Sequence, residues 1–134
     1  MKILTLSIKQ KFFDEILAGK KTQEFREIRP TNAKKYFNYE LNGKLYDVDN
    51  LPSEDEEQGD VNLVPIKYDA IKFLTGEYKG KRPYAIVEVK DAEIEFFCDE
   101  DGNDITYEYK GETYIMAQIV YDLGKVLETE MYND

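Results

Sequence analysis

Charged side chains crowd one short segment near the start of the chain, in the order Lys20, Lys21, Thr22, Glu24 and Arg26. In an extended strand side chains alternate between two faces, so Thr22, Glu24 and Arg26 are expected to share one face. A glutamate between a lysine and an arginine can hold both cations in fixed positions. Such a site suits a phosphate together with a base edge, or a carbonyl with an attacking water. An ordinary ion pair on a strand, flanked by solvated lysines, explains the same residues without a ligand.

A second group of cations, Lys79, Lys81 and Arg82, lies in a predicted turn. Cations in a turn are usually only solvated, but a fold that brings them beside Lys21 would create one groove from both groups. Glu88 follows in the next predicted strand and alternates away from the valines on either side of it. That glutamate therefore either lines the site or faces water.

Two counts exclude whole classes of site. The chain has no histidine, which excludes serine and cysteine hydrolases with a histidine base and zinc sites built on histidine. A single cysteine, Cys98, allows no internal disulfide. Cys98 lies next to an aromatic residue with no activating base in the sequence around it, so it is predicted to be a buried thiol. No metal and no cofactor are expected.

Charge is unevenly distributed along the chain. The net charge is −10, yet residues 1–44 hold ten Lys and Arg against five Asp and Glu. Residues 47–60 contain seven acidic residues and no basic one. We interpret this run as a solvated loop in an insertion at about 47–62, and expect residues 53–60 to be mobile and exposed. The alternatives are an RNA mimic that screens a basic groove, or a metal-binding loop.

The length and hydropathy of the chain predict one soluble domain. The 134 residues are enough for a single hydrophobic core, and the prediction is one domain over residues 1–134. No apolar run approaches the roughly 20 residues that a membrane-spanning helix needs. The first residues become charged again at Lys9, too early for the apolar core of a signal peptide. We therefore expect a cytoplasmic protein without a membrane partner.

The charged segment follows a predicted strand and helix. Residues 2–8 alternate apolar and polar side chains, which indicates a half-buried strand. Ser7 with Gln10 three positions later is a capping-box pattern, so a helix is expected to follow. Gly19 is expected to end that helix. Residues 22–28 then resume strand character, which places the charged side chains on a strand directly after the helix.

The remainder of the chain favours short strands. Residues 31–46 are ambiguous between helix and strand, with a turn signal at Asn42-Gly43. The sequence after them predicts hairpin-linked strands at 84–97, 105–109 and 113–121, with turns at Asp101-Gly102 and Lys110-Gly111. This order predicts an α+β fold with a mainly antiparallel sheet, rich enough in strands to close as a small barrel.

The charged segment also resembles a known family. Gly19, Lys21, Glu24 and Arg26 match the pattern Gly-x-Lys-x-x-Glu-x-Arg of the ASCH domain, a branch of the PUA-like superfamily. Residues 82–94 resemble a later strand of that family. The resemblance implies a PUA-like small β-barrel with a helix between the first two strands, covering most of the chain with the acidic segment as an insertion.

The resemblance implies a binding function. ASCH and PUA-like domains bind RNA or modified nucleotides in a cationic cleft beside the first helix, so an RNA, nucleoside or nucleotide ligand is expected here. The net charge of −10 favours a compact ligand over a long duplex. The expected ligand-binding residues are Lys20, Lys21, Thr22, Glu24, Arg26, Lys81 and Arg82.

An enzymatic alternative stays open. One bacterial ASCH branch resembles amidohydrolases that act on acetylcytidine and use a lysine, a threonine and a glutamate. Lys21 matches the lysine, whereas Glu24 stands where that branch has its threonine, and Thr22 lies directly after Lys21. Lys21 and Glu24 are therefore the candidate catalytic residues, with Glu88 as a guess for the third. Binding is the favoured hypothesis.

Overall fold

The computed structural model describes residues 1–51, 60–76 and 80–132, which are mostly β-strand with one α-helix. The elements in chain order are β1 (Ile3–Ser7), α1 (Gln10–Leu17), β2 (Gln23–Ile28), a 3₁₀ turn (Ala33–Lys35), β3 (Phe37–Leu41), β4 (Lys44–Tyr46), β5 (Asn62–Pro65), β6 (Ala70–Leu74), β7 (Tyr84–Phe96), β8 (Thr106–Tyr109), β9 (Glu112–Ile115) and β10 (Ala117–Glu130).

The strands of the described residues form three sheets, none of which closes into a barrel. The largest has five strands in the order β1-β6-β7-β10-β2, with β1 and β2 at its edges. The pairing of β1 with β6 is parallel and that of β6 with β7 is antiparallel. The others are the three-stranded sheet β4-β3-β5 and the hairpin β8-β9. The predicted α+β, PUA-like barrel is therefore wrong, since alternation marks which side chains are buried but not which strands pair.

Contacts divide the chain into two compact units. The first unit consists of Met1–Glu24, Lys67–Ala92 and Tyr121–Asp134. The second unit consists of Phe25–Ile66 and Glu93–Val120. The prediction of one domain over residues 1–134 stays a prediction.

Alternating apolar side chains build the core of the first unit. Leu4 and Leu6 of β1 lie in register with Ile71 and Phe73 of β6, and all four are buried. Val87 of β7 pairs with Ile71 and is equally buried. Side chains two residues apart on a strand share a face, so the three strands present one continuous apolar surface.

Helix α1 is amphipathic, and its start differs from the prediction. Phe13 and Ile16 are buried, as their spacing of three residues on one helix face requires. The residue before the first turn is Lys9, and no side chain caps the helix. The predicted capping box of Ser7 and Gln10 is therefore wrong, because both side chains are used in longer-range contacts described below.

The predicted stop at Gly19 is confirmed. Gly19 has φ of 74°, a left-handed conformation that glycine adopts without steric penalty. Its backbone N–H donates to the carbonyl of Ile16 at 3.1 Å, and the N–H of Lys20 donates to the carbonyl of Glu15 at 2.9 Å. These two bonds form a Schellman motif, which satisfies carbonyls of the last helical turn and directs the chain into the charged segment.

Two predicted turns each connect the two strands of a hairpin in the second unit. Asn42 and Gly43 both have positive φ, as do Lys110 and Gly111, which matches the two-residue turns that suit the twist of antiparallel strands. The ambiguous residues 31–46 contain the 3₁₀ turn and the strands β3 and β4.

Cys98 is exposed, so the prediction of a buried thiol is wrong. The residue follows the end of β7 and forms an isolated bridge with Asp104. Neighbours along an extended chain point to opposite sides, so an aromatic neighbour does not bury the thiol.

Two predictions fall wholly or partly outside the described residues. Most of the acidic segment expected to be a mobile loop, residues 53–59, lies outside them, whereas Asp60 is exposed. Lys79 also lies outside. Within the described residues, none of the helices has both the length and the apolar character needed to cross a membrane.

Candidate ligand-binding site

An ion pair between Lys21 and Glu24 is the centre of the candidate site. Lys21 Nζ lies 3.5 Å from Glu24 Oε1, and the two side chains are only 16% and 8% exposed. Glu24 is buried because it occupies an inward position of β2, between the exposed Gln23 and Phe25. A covered carboxylate is stable in a fold when a cation balances it, so Lys21 and Glu24 hold each other in place.

An aromatic ring of α1 completes the surroundings of Lys21. The ammonium lies 5.5 Å from the centroid of the Phe12 ring, within the range of a cation–π contact. Phe12 remains 38% exposed, whereas Phe13 next to it is buried. The ammonium therefore lies over one face of a ring that solvent still reaches in part. We call Phe12, Lys21 and Glu24 the Lys21 site.

Phe12 is the residue that the sequence analysis missed. The sequence assigns it, with Phe13, to the apolar stripe of the helix. Adjacent residues on an α-helix are about 100° apart around the axis, so both rings cannot face the core equally. Which of the two rings is exposed depends on the rotation of the helix about its axis, and the sequence carries no signal for that rotation.

Lys20 and Thr22 flank the Lys21 site in sequence and are exposed. The carbonyl of Thr22 accepts a hydrogen bond from the N–H of Leu123 at 2.9 Å, which ties this segment to β10. Backbone pairing therefore fixes the position of Thr22, while its hydroxyl-bearing side chain lies at the surface.

Arg26, also predicted to bind ligand, is half-buried in β2 and belongs to the second unit. The other six predicted residues, Lys20, Lys21, Thr22, Glu24, Lys81 and Arg82, belong to the first unit.

Arg82 is used inside the fold of the first unit. Its Nη2 donates to the hydroxyl of Ser7 at 3.3 Å and to the carbonyl of Leu74 at 3.5 Å, and its Nε donates to the carbonyl of Thr75 at 3.3 Å. These acceptors lie at the ends of β1 and β6. The guanidinium therefore ties two neighbouring strand ends together, a role that five fixed donors allow.

Thr75 and Lys81, which lie next to Arg82 in space or in sequence, make further contacts. The buried Thr75 donates its hydroxyl to Gln10 Oε1 at 3.1 Å, which links the end of β6 to the start of α1. Lys81 is exposed, with its ammonium 5.6 Å from the centroid of the Tyr132 ring. Of Lys81 and Arg82, which are both predicted to bind ligand, Lys81 is exposed and Arg82 is half-buried.

Glu88 has neighbours on β10. Gly124 leaves the space for its carboxylate, because a Cβ at that position would overlap Glu88 Oε1. The same oxygen lies 3.5 Å from the N–H of Lys125. The missing side chain at Gly124 thus lets a half-buried carboxylate lie against the backbone of the neighbouring strand.

Of the residue types that most often bind metals, the chain has cysteine, aspartate and glutamate but no histidine. In the part of the chain that the structure describes, no group of three such residues is arranged to hold a metal ion.

No family model, curated protein or solved structure matches the chain significantly.

Proposed function

We propose that the protein binds a compact RNA or nucleotide ligand, such as a nucleotide or a short RNA end, at the Lys21 site. The observation that supports this proposal is the ion pair of Lys21 and Glu24 beside the exposed ring of Phe12. The three side chains combine one cation, one acceptor and one aromatic face. A nucleotide offers a complementary anion or carbonyl, donor groups on the base, and a base plane.

Preorganisation supports binding at this site. The ammonium of Lys21 is already held by a carboxylate and a ring, so little side-chain entropy is lost when a ligand engages it. A hydrogen bond from the ammonium to a phosphate oxygen is charge-assisted and stronger than a neutral one. Stacking of one base on an aromatic ring contributes about 1–3 kcal/mol.

The sequence pattern agrees with this proposal. Gly19, Lys21, Glu24 and Arg26 stand in the register of the ASCH motif, and we propose a relationship to that family on these positions alone. Because the net charge is −10, long-range attraction of a polyanion is weak, so the proposed ligand is compact. The proposed site of action is the cytoplasm, where such ligands are abundant.

Substitution of Lys21 tests the proposal. We expect Lys21→Ala to weaken binding of cytidine monophosphate or a five-nucleotide RNA about tenfold or more, equivalent to about 1.4 kcal/mol. Phe12→Ala should weaken binding by a similar factor, since the stacking face is lost. Isothermal titration calorimetry or fluorescence anisotropy measures both effects.

Matched variants control for general effects of charge and apolar area. Lys90→Ala removes an exposed lysine of the same unit, and Phe96→Ala removes an exposed phenylalanine elsewhere. Both controls should bind like the wild type. Unchanged affinity in Lys21→Ala and Phe12→Ala, in folded proteins, would show that the Lys21 site does not bind these ligands.

The second candidate function is hydrolysis of an acylated nucleoside such as acetylcytidine. A largely covered lysine beside a carboxylate favours it, because such a pair can transfer a proton during attack on an amide. Release of acetate from acetylcytidine by the wild type, abolished in Lys21→Ala, is the result expected of this candidate. Binding of nucleotides without acetate release is the result expected of a binding protein.

A further inference from the structure

The second unit has a shallow, open surface cavity whose described lining is rich in hydrogen-bond donors. Its volume is about 260 Å³, and it is lined by Thr31, Asn32, Lys34 and Lys35. Two of these side chains carry ammonium groups, and none of the four carries a carboxylate. A cavity of this kind has the chemistry of an anion site, because cations and hydroxyl donors favour an oxyanion.

The wall of this cavity is fixed by its own hydrogen bonds. Asn32 Oδ1 accepts from the backbone N–H of Arg29 at 2.7 Å, and Asn32 Nδ2 donates to the carbonyl of Glu27 at 3.2 Å. Arg29 is itself held between Glu27, at 2.6 Å, and the ring of Tyr107, at 4.4 Å from its centroid. The turn that carries the two lysines is therefore anchored before any ligand arrives.

A carboxylate of the same chain already binds one of the cavity lysines. Asp49 Oδ2 lies 2.7 Å from Lys34 Nζ. Asp49 is positioned by a local turn, in which its N–H donates to Asp47 Oδ1 at 2.9 Å and Asn50 Nδ2 donates to the same oxygen at 2.9 Å. Asp47 and Asp49 are the first two of the seven acidic residues in the run 47–60.

The contact between Lys34 and Asp49 is one that a ligand can replace. Both side chains are 63% exposed, and ion pairs between exposed groups contribute little to stability because water and salt screen them. The hydrogen bond to Asp49 and the charges of Asp49 and Asp47 raise the pKa of Lys34, which is charged at neutral pH even without them. Loss of Asp49 would leave an exposed ammonium at the cavity.

We propose that this cavity binds a phosphate group and that Asp49 acts as an internal competitor, which the phosphate displaces from Lys34. A phosphate presents several strong acceptor oxygens and about 1.5 to 2 negative charges when terminal. A phosphate can therefore bind Lys34, Lys35 and the Thr31 hydroxyl together. The carboxylate of Asp49 contacts Lys34. The site is separate from the Lys21 site, and the proposal does not depend on the function proposed above.

Titration with inorganic phosphate, pyrophosphate and a short RNA tests this inference. We expect Lys34→Ala/Lys35→Ala to weaken phosphate and pyrophosphate binding about tenfold or more, and Asp49→Asn to strengthen it about threefold to tenfold. Calorimetry at low salt measures both changes. Comparison of RNA with and without a 5′-phosphate distinguishes a terminal phosphate, which requires that group, from a backbone phosphodiester, which does not.

Matched variants make each outcome decisive. Lys44→Ala removes a lysine that lies over the Tyr46 ring, as Lys35 lies over Tyr36, and Asp101→Asn neutralises another exposed aspartate of the second unit. Both should bind phosphate like the wild type. Equal affinity in wild type and Lys34→Ala/Lys35→Ala would overturn the site, and equal affinity in Asp49→Asn would overturn the competition.

A further variant separates this proposal from the function proposed above. Loss of phosphate binding in Lys21→Ala, with retention in Lys34→Ala/Lys35→Ala, would assign the phosphate to the Lys21 site and overturn the cavity proposal.

Discussion

Glu24→Ala is expected to lower the free energy of unfolding by about 2 to 3 kcal/mol. The reason is the charge left behind, since the ammonium of Lys21 would stay largely covered without the carboxylate that now lies 3.5 Å away. Lys21 retains 16% exposure and can turn toward water, which places the expected loss below that of a fully buried pair. Urea denaturation followed by circular dichroism measures it.

A double-mutant cycle separates the ion pair from other contacts of Glu24. In the background of Lys21→Ala, the same Glu24→Ala substitution should lower stability by about 1 kcal/mol less, because no ammonium is left uncompensated. Glu24→Gln keeps the size of the side chain and should lie between wild type and Glu24→Ala. An equal loss in both backgrounds would mean that the pair with Lys21 does not stabilise the fold.

The same substitution distinguishes binding from catalysis. Where Glu24 only orients Lys21, ligand affinity in folded Glu24→Ala should fall modestly and any turnover should persist. Where Glu24 is the catalytic base, turnover should vanish while binding survives. Measurements of affinity and acetate release on one protein preparation give both results.

Arg82→Ala is expected to lower the free energy of unfolding by about 1 to 3 kcal/mol. The substitution removes donors that reach the carbonyls of Leu74 and Thr75 and the hydroxyl of Ser7, all at strand ends. The Leu74 carbonyl keeps the hydrogen bond that it accepts from the N–H of Ile8 at 2.8 Å, so the expected loss falls on the Thr75 carbonyl and the Ser7 hydroxyl. Thermal and urea denaturation of the intact chain measure the loss.

Substitutions at and beside Arg82 provide the controls. Lys81→Ala changes an exposed lysine one residue earlier and should change stability by less than about 0.5 kcal/mol. Arg82→Lys keeps the charge but not the fork of donors, so it should recover only part of the stability. Wild-type stability in Arg82→Ala would contradict the structural role assigned to this guanidinium.

Elements governed by local chemistry were predictable from the sequence. The stop of α1 follows from Gly19, whose positive φ and Schellman bonds involve only residues of the same helix end. The turns at Asn42-Gly43 and Lys110-Gly111 follow from residues that tolerate positive φ. Each of these signals lies within a few residues of the structure that it specifies.

Long-range pairing was not predictable from the same signals. Ser7 with Gln10 has the pattern of a capping box, yet Ser7 meets Arg82, which is 75 positions away in sequence. The same contact gives Arg82 a structural role at the strand ends, while its ligand-binding role stays a prediction. Closure of the sheet depends in the same way on which strands pair, and alternation of apolar residues carries no such information.

At the Lys21 site, too, one contact follows from local sequence and another depends on longer-range packing. Lys21 and Glu24 are three residues apart, and their ion pair follows from a helix stop, a bend and an inward strand position. The contact between Lys21 and Phe12 depends on the rotation of α1 about its axis. That rotation decides which of two adjacent phenylalanines is buried, and hydrophobicity does not distinguish them.

Mapping of ligand contacts by NMR shows directly whether a nucleotide binds at the Lys21 site. Isotope-labelled protein is titrated with cytidine monophosphate, and chemical shifts of every assigned backbone and aromatic group are followed. We expect binding at this site, with the largest shifts on the Phe12 ring and at Lys21 and Glu24 and without these shifts in Lys21→Ala. Saturable shifts confined to other residues, or shifts that persist unchanged in Lys21→Ala, would contradict it.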